Sequence, residues 1–164
     1  MSDGQKPEQF FARVEARARR LDTLLCVGLD PHPADLDVED YAALGDHGRD
    51  VAAYEALEFC RNIIEQTRDV AAAYKPNSAF FEALGASGFK ALQTLIRELH
   101  DIPTILDAKR GDIGSTSAAY ATAAFSIQGA GSITVQPYLG WEAIAPFLTD
   151  RSKSVFVLCR TTNE

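Results

Sequence analysis

Five short runs of aliphatic and β-branched residues recur along the chain, at 24–29, 70–74, 103–106, 132–136 and 154–159, and none alternates apolar with polar positions. A strand wetted on one face alternates, whereas a run that is apolar throughout is covered on both faces. Between the runs lie segments with helical spacing: 51–66, where Ala53, Leu57, Ile63 and Ile64 fall near a 3.6-residue period, then 79–100, 115–127 and 141–148. A further amphipathic segment, 7–21, precedes the first run. Strands that alternate with helices predict parallel βαβ units joined by right-handed crossovers, an α/β fold. No repeat, low-complexity tract or linker interrupts the pattern, so residues 1–164 are expected to form a single domain. The acidic stretch 31–49 is longer than an ordinary strand-to-helix loop and is expected to be a lid or surface insertion.

Charge narrows the partners. Asp and Glu number 23 against 16 Lys and Arg, giving a net charge of -7, and no basic run occurs. Such a chain lacks the positive footprint that nucleic acids and anionic membranes require, so neither is expected as a partner. No apolar stretch reaches membrane-spanning length and the first residues are polar, which predicts a cytoplasmic protein. Cys26, Cys60 and Cys159 are widely separated and read as reduced core residues. His32, His47 and His100 show no metal-ligand spacing, so no metal is expected.

Each apolar run ends in polar groups that are costly to bury unpaired: Asp30; Lys75 and Asn77; Asp107 and Lys109; Gln136 and Tyr138; Arg160 and Thr162. Parallel sheets bind ligands at the carboxyl ends of their strands, so these residues are expected to converge. The segment Asp107-Ala-Lys109-Arg-Gly-Asp112-Ile113-Gly-Ser-Thr116 is the richest. On a strand Asp107 and Lys109 point the same way, and carboxylates on either side keep an ammonium charged. The same array could also stand as a structural ion-pair network, and Asp30 and Asn77 could serve as turn or cap residues.

Together with Leu29-Asp30-Pro31 and Tyr74-Lys75-Pro76-Asn77, this segment resembles orotidine 5'-monophosphate decarboxylase, in the bacterial branch with a longer loop after strand one. The strings LLCVGLDPHP, AAYKPNSAFFEALG, ILDAKRGDIGSTSAAYA and TVQPYLGWEAIAPFL carry the resemblance over most of the chain. It implies a (β/α)8 TIM barrel, of which this chain supplies about the first five βα units. It implies a charge array of Lys75, Asp107, Lys109 and Asp112 that removes CO2 from C6 of the orotate ring, with no metal or organic cofactor. Lys109 would stabilise the developing carbanion and then protonate it. Asp30 and Lys75 would contact ribose hydroxyls. Asp112, Ile113 and Thr116 would reach the site of a second subunit, which implies a homodimer with shared active sites. Thr162 falls at or beside the position of a serine that hydrogen-bonds the pyrimidine.

The chain departs from that pattern in three places. Gln136 stands where asparagine is expected, and Asn163-Glu164 stands where the family has a Pro-Gly turn. Strands six to eight are absent, with the glycine and arginine that hold the 5'-phosphate, so these residues alone are expected to be inactive. Two rival readings remain at this point. A Mg-dependent sugar-phosphate decarboxylase shares Asp-x-Lys-x-x-Asp but needs a carboxylate where this chain has Lys75. A half-barrel that only binds or supports would not need its charges.

Overall fold

The computed structural model describes residues 9–38 and 40–161. Five parallel strands follow in order: β1 (Cys26–Leu29), β2 (Ala73–Pro76), β3 (Ile105–Arg110), β4 (Ser132–Val135) and β5 (Ser154–Val157). β1 pairs with β2, β3 with β4, and β4 with β5. The parallel bridges Tyr74↔Thr104 and Asn77↔Asp107 join the two groups, so the spatial order is the sequence order. A sheet that never reverses its strand order is wound like a barrel and has no topological switch point. The expected βα alternation is therefore present, as about five units of a (β/α) barrel.

The helices are α1 (Phe10–Leu21), α2 (Asp46–Thr67), α3 (Ser78–Glu82), α4 (Gly85–Glu98) and α5 (Gly114–Ala121). The core lies between them and one face of the sheet. Leu29, Tyr74, Leu106, Ile133 and Val135 from the strands meet Ala53, Ala56, Leu57 and Cys60 of α2 and Leu92, Leu95 and Ile96 of α4. Each large aliphatic side chain so withdrawn from water stabilises the fold by about 1.5–3 kcal/mol before entropy is counted. Tyr74 is fully buried and satisfies its hydroxyl with the Ile64 carbonyl at 3.2 Å and Thr67 Oγ1 at 2.9 Å. Because neighbours on a strand alternate faces, Lys75 points away from this core.

α1 closes the amino ends of the strands. Arg17 donates to the carbonyls of Ala71, at 2.9 Å, and Arg68, at 2.7 Å, both just before β2. Phe10 fills the space over Gly131, where a Cβ would come within 2.7 Å of its ring. The opposite, carboxyl ends stay accessible.

Several expected elements differ in detail. The helix expected over 7–21 begins at Phe10, and its first two residues lie outside the described part. The stretch 31–49 is no mere surface insertion: Leu36 and Tyr41 are buried in the core, Tyr41 donates to the Pro31 carbonyl at 2.8 Å, and α2 starts already at Asp46. Gly48 masked that first turn, being a poor helix former. The single helix expected over 79–100 is broken in two: α3 stops at Glu82 and α4 starts at Gly85, whose φ of +68° turns the chain between them at a cost only glycine keeps low. α5 runs into a π-helical turn, Thr122–Gln128, which stops at Gly129 with φ +90°. Two 3-10 turns, Trp141–Ala143 and Ala145–Leu148, replace the last expected helix, where Pro146 has no N–H to give. Of the three cysteines only Cys60 belongs to the core, while Cys26 and Cys159 are exposed. β1 and β5 each have one strand neighbour among the described residues, so apolar side chains at these two edges remain uncovered.

Candidate active site at the carboxyl ends of the strands

Lys75, third residue of β2, and Asp107, third of β3, lie on adjacent parallel strands, and the Asn77↔Asp107 bridge fixes their offset. Lys75 Nζ donates to Asp107 Oδ2 at 2.7 Å, and Lys109 Nζ to Oδ1 at 2.6 Å. Thr134 Oγ1, from β4, donates to the same Oδ1 at 2.9 Å. The Asp107 side chain is only 10% exposed, against 33% for Lys75 and 53% for Lys109. Burial by itself would push the Asp107 carboxyl up, but the donors Lys109, Lys75 and Thr134, with the Lys75 charge, outweigh it and hold the group at about 2. One carboxylate between two ammoniums leaves this spot with a local charge of about +1 on a chain of net charge -7. A buried ion pair is weak evidence of stabilisation by itself, because desolvation offsets the attraction. Three donors converging on one carboxylate, with a half-exposed ammonium beside it, can instead present a fixed positive charge to a ligand.

The backbone under Lys109 is unusual. β3 and β4 pair at Leu106↔Ile133 and next at Arg110↔Val135, so four steps along β3 face two along β4. Lys109 occupies the bulge with φ +49°, a left-handed conformation that costs a non-glycine residue about 1–2 kcal/mol. Strain of this kind persists where surrounding contacts over-determine it, often at functional sites. Sequence reasoning, which treated 107–109 as a regular strand, missed both the bulge and Thr134. A threonine in an apolar β-branched run carries no separate signal.

Asp30 follows β1 at the same end. Its carboxylate lies over Gly28, where a Cβ would stand 3.2 Å from Oδ2, and its buried Oδ1 has no hydrogen-bond partner among the described residues. Asp30 also reinforces burial in pushing the Cys60 thiol up to about 12.

The remaining strand-end residues do not join this cluster. Asn77 caps α3, accepting from Ala79 N at 3.2 Å. Gln136 turns to the next loop: its Nε2 donates to the Gly111 carbonyl at 2.9 Å, and its Oε1 accepts from Tyr138 N. The Tyr138 and Arg160 side chains are exposed, so the expected convergence of every strand end is too broad. Asp112 makes no ion pair with Lys75 or Lys109 among the described residues, and its Oδ1 accepts from Ile113 N at 2.7 Å. Ile113, 64% exposed, precedes the first residue of α5, and Thr116 lies in its first turn. Thr162 lies outside the described residues. Among the described residues no group of three His, Cys, Asp or Glu is arranged to hold a metal ion, and no helix is long and apolar enough to cross a membrane. An apolar groove lined by Phe11, Val14, Ala18 and Leu24 runs along α1, away from the lysine cluster.

Comparison with known proteins adds an independent line. The family described as orotidine 5'-phosphate decarboxylase / HUMPS matches residues 23–164. An orotidine 5'-phosphate decarboxylase of Roseiflexus sp. (strain RS-1) is 48% identical over 154 residues, 94% of this chain and 53% of that protein. The solved OMP decarboxylase of Leishmania donovani superposes with a TM-score of 0.78 at 46% identity, over 95% of this chain and 55% of that one. The UMP synthase of the same organism gives 0.81 at 46% identity, over 96% of this chain and 31% of that one. The chain thus spans about half the length of the curated relatives it matches.

Proposed function

Since the chain belongs to the orotidine 5'-phosphate decarboxylase / HUMPS family, whose fold is the TIM barrel, we propose that its complete gene product converts orotidine 5'-monophosphate to UMP and CO2 in pyrimidine biosynthesis, without a cofactor. The observation that carries the reading is the Asp107 carboxylate gripped by Lys75 and Lys109 at the carboxyl ends of β2 and β3. Breaking the bond from C6 to the carboxylate releases CO2 and leaves the electron pair on C6. A preorganised ammonium beside that carbon lowers the barrier, because the charge it meets develops only as the bond breaks. Lys109 is the more exposed of the two cations and takes this role: it gives a proton to C6 and recovers one from solvent. Asp107 stands against the departing carboxylate, and their repulsion is relieved as CO2 leaves. Lys75 keeps Asp107 ionised and in place.

The finer assignments belong to the same proposal. Asp30, whose buried Oδ1 lacks a partner among the described residues, and Lys75 bind ribose hydroxyls. Asp112, Ile113 and Thr116 serve the active site of a second subunit in a homodimer, consistent with an apolar Ile113 left in solvent. Thr162 would meet the pyrimidine. Residues 1–164 form one domain-level part of the barrel, and the enzyme works in the cytoplasm. Lys75 disfavours the metal-dependent alternative, since a cation stands where a hard metal wants an oxygen ligand.

Incubating the purified gene product with orotidine 5'-monophosphate and a chelator, and following UMP by chromatography, tests the reading. Stoichiometric UMP at a rate indifferent to the chelator is the expected result. A folded protein that forms no UMP, or one that needs added Mg2+, overturns it.

A further inference from the structure

Thr134 has one hydroxyl and three polar neighbours. Its Oγ1 lies 3.0 Å from Ala108 N, 2.9 Å from Lys109 N and 2.9 Å from Asp107 Oδ1. A hydroxyl carries one proton and accepts two hydrogen bonds, and backbone N–H groups only donate. Both acceptor sites are therefore taken by the two amides, and the single proton must go to the carboxylate. The assignment leaves nothing unsatisfied and allows no alternative. Ile133 and Val135 are buried on the helix side of β4, which turns Thr134 to the Lys75 and Asp107 side. It sits opposite the bulge, where the register jumps from Leu106↔Ile133 to Arg110↔Val135 and skips Ala108 and Lys109.

We propose that Thr134 is a positioning residue for the decarboxylation, holding the left-handed backbone of Lys109 and the rotation of the Asp107 carboxylate with one hydroxyl, and thereby aiming the Lys109 ammonium. The proposal rests on the decarboxylase reading for its consequence in rate. Lys109 and Thr134 share Oδ1, while Lys75 holds Oδ2. Without the hydroxyl the carboxylate can turn about its axis, and two amide donors lose their acceptor, so the bulge is free to relax. Displacing a reacting group by an ångström is enough to cost about a hundredfold in rate. Substrate binding through other groups is left largely in place.

The test compares Thr134→Val, which keeps shape and loses the hydroxyl, with Thr134→Ser, which keeps the hydroxyl and loses a methyl. In the complete gene product Thr134→Val should lower kcat about 10- to 100-fold with KM for orotidine 5'-monophosphate changed less than about threefold. Thr134→Ser should restore most of the rate. The Asp107 carboxyl, followed by carbon NMR, should titrate at higher pH in Thr134→Val than in wild type or Thr134→Ser. Equal losses in the two variants would show that keeping the hydroxyl does not preserve the rate and overturn the proposal, even if Thr134→Val proved unstable. So would an unchanged kcat in a folded Thr134→Val protein whose wild type is active. A wild type with no turnover defeats the decarboxylase reading instead, and the Asp107 titration then still decides whether Thr134 holds the carboxylate.

Discussion

Asp107 is the residue on which the site turns, and its ionisation is measurable. Three donors hold its carboxyl at about 2 against burial, so it is fully charged at any physiological pH. The folded value is below the unfolded one. Its contribution, roughly 2 kcal/mol, is therefore complete above about pH 4 and is lost as pH falls through about 2. Carbon NMR of the folded protein should place the midpoint near 2; a midpoint near 4 would mean that the two ammoniums do not grip it. Much of this was legible in the sequence, because charged residues that close separate apolar runs must meet at one end of a parallel sheet. The hydroxyl of Thr134 and the positive φ of Lys109 were not, since neither residue type announces a bulge. The cysteines misled for a different reason: an apolar run marks a strand, but only a neighbour on each side makes its residues core.

Among the elements, the strands were read within a few residues and the helices less well. Apolar runs without alternation have few alternatives, whereas a helical period continues across a break if the break is a single glycine. Gly85 turns the chain from α3 into α4 in that way, and Gly88 then lets the two helices approach closely. A Cβ on Gly88 would lie 1.9 Å from the Phe81 carbonyl oxygen and 2.7 Å from Leu84 Cβ, inside the core. Gly88→Ala should therefore destabilise the protein by about 1–3 kcal/mol although alanine is the better helix former. Urea denaturation checks this, and a midpoint equal to or above wild type would show that α3 and α4 do not touch there. The loop after β3 is set by β4 in a comparable manner: Gln136 bonds the Arg110 and Gly111 carbonyls, and a Cβ on Gly111 would lie 2.5 Å from the Gln136 carbonyl oxygen. That close approach fixes the course of the chain toward Asp112, and it was invisible in a sequence where Gln136 only looked out of place.

For the whole molecule the order β1 to β5, with α1 across the amino ends of the strands, leaves the carboxyl ends open. The division of labour between subunits belongs to this scale. Asp112 stands apart from the Lys75, Asp107 and Lys109 group, so the homodimer proposal predicts that it acts across the interface. Mixing inactive Lys109→Ala and Asp112→Ala proteins should regenerate one complete site per heterodimer and recover part of the activity. No recovery, with heterodimers demonstrated, would confine Asp112 to its own subunit. The central claim is that a preorganised Lys109 ammonium both steadies and protonates the carbanion, and steady-state turnover of orotidine 5'-monophosphate by Lys109→Ala in the complete gene product tests it most directly. Loss of the general acid alone costs about 10²–10⁴-fold, and loss of its charge adds to that. A folded Lys109→Ala protein should therefore show kcat reduced by at least about a hundredfold, and one retaining more than about a tenth of the wild-type kcat would contradict the account.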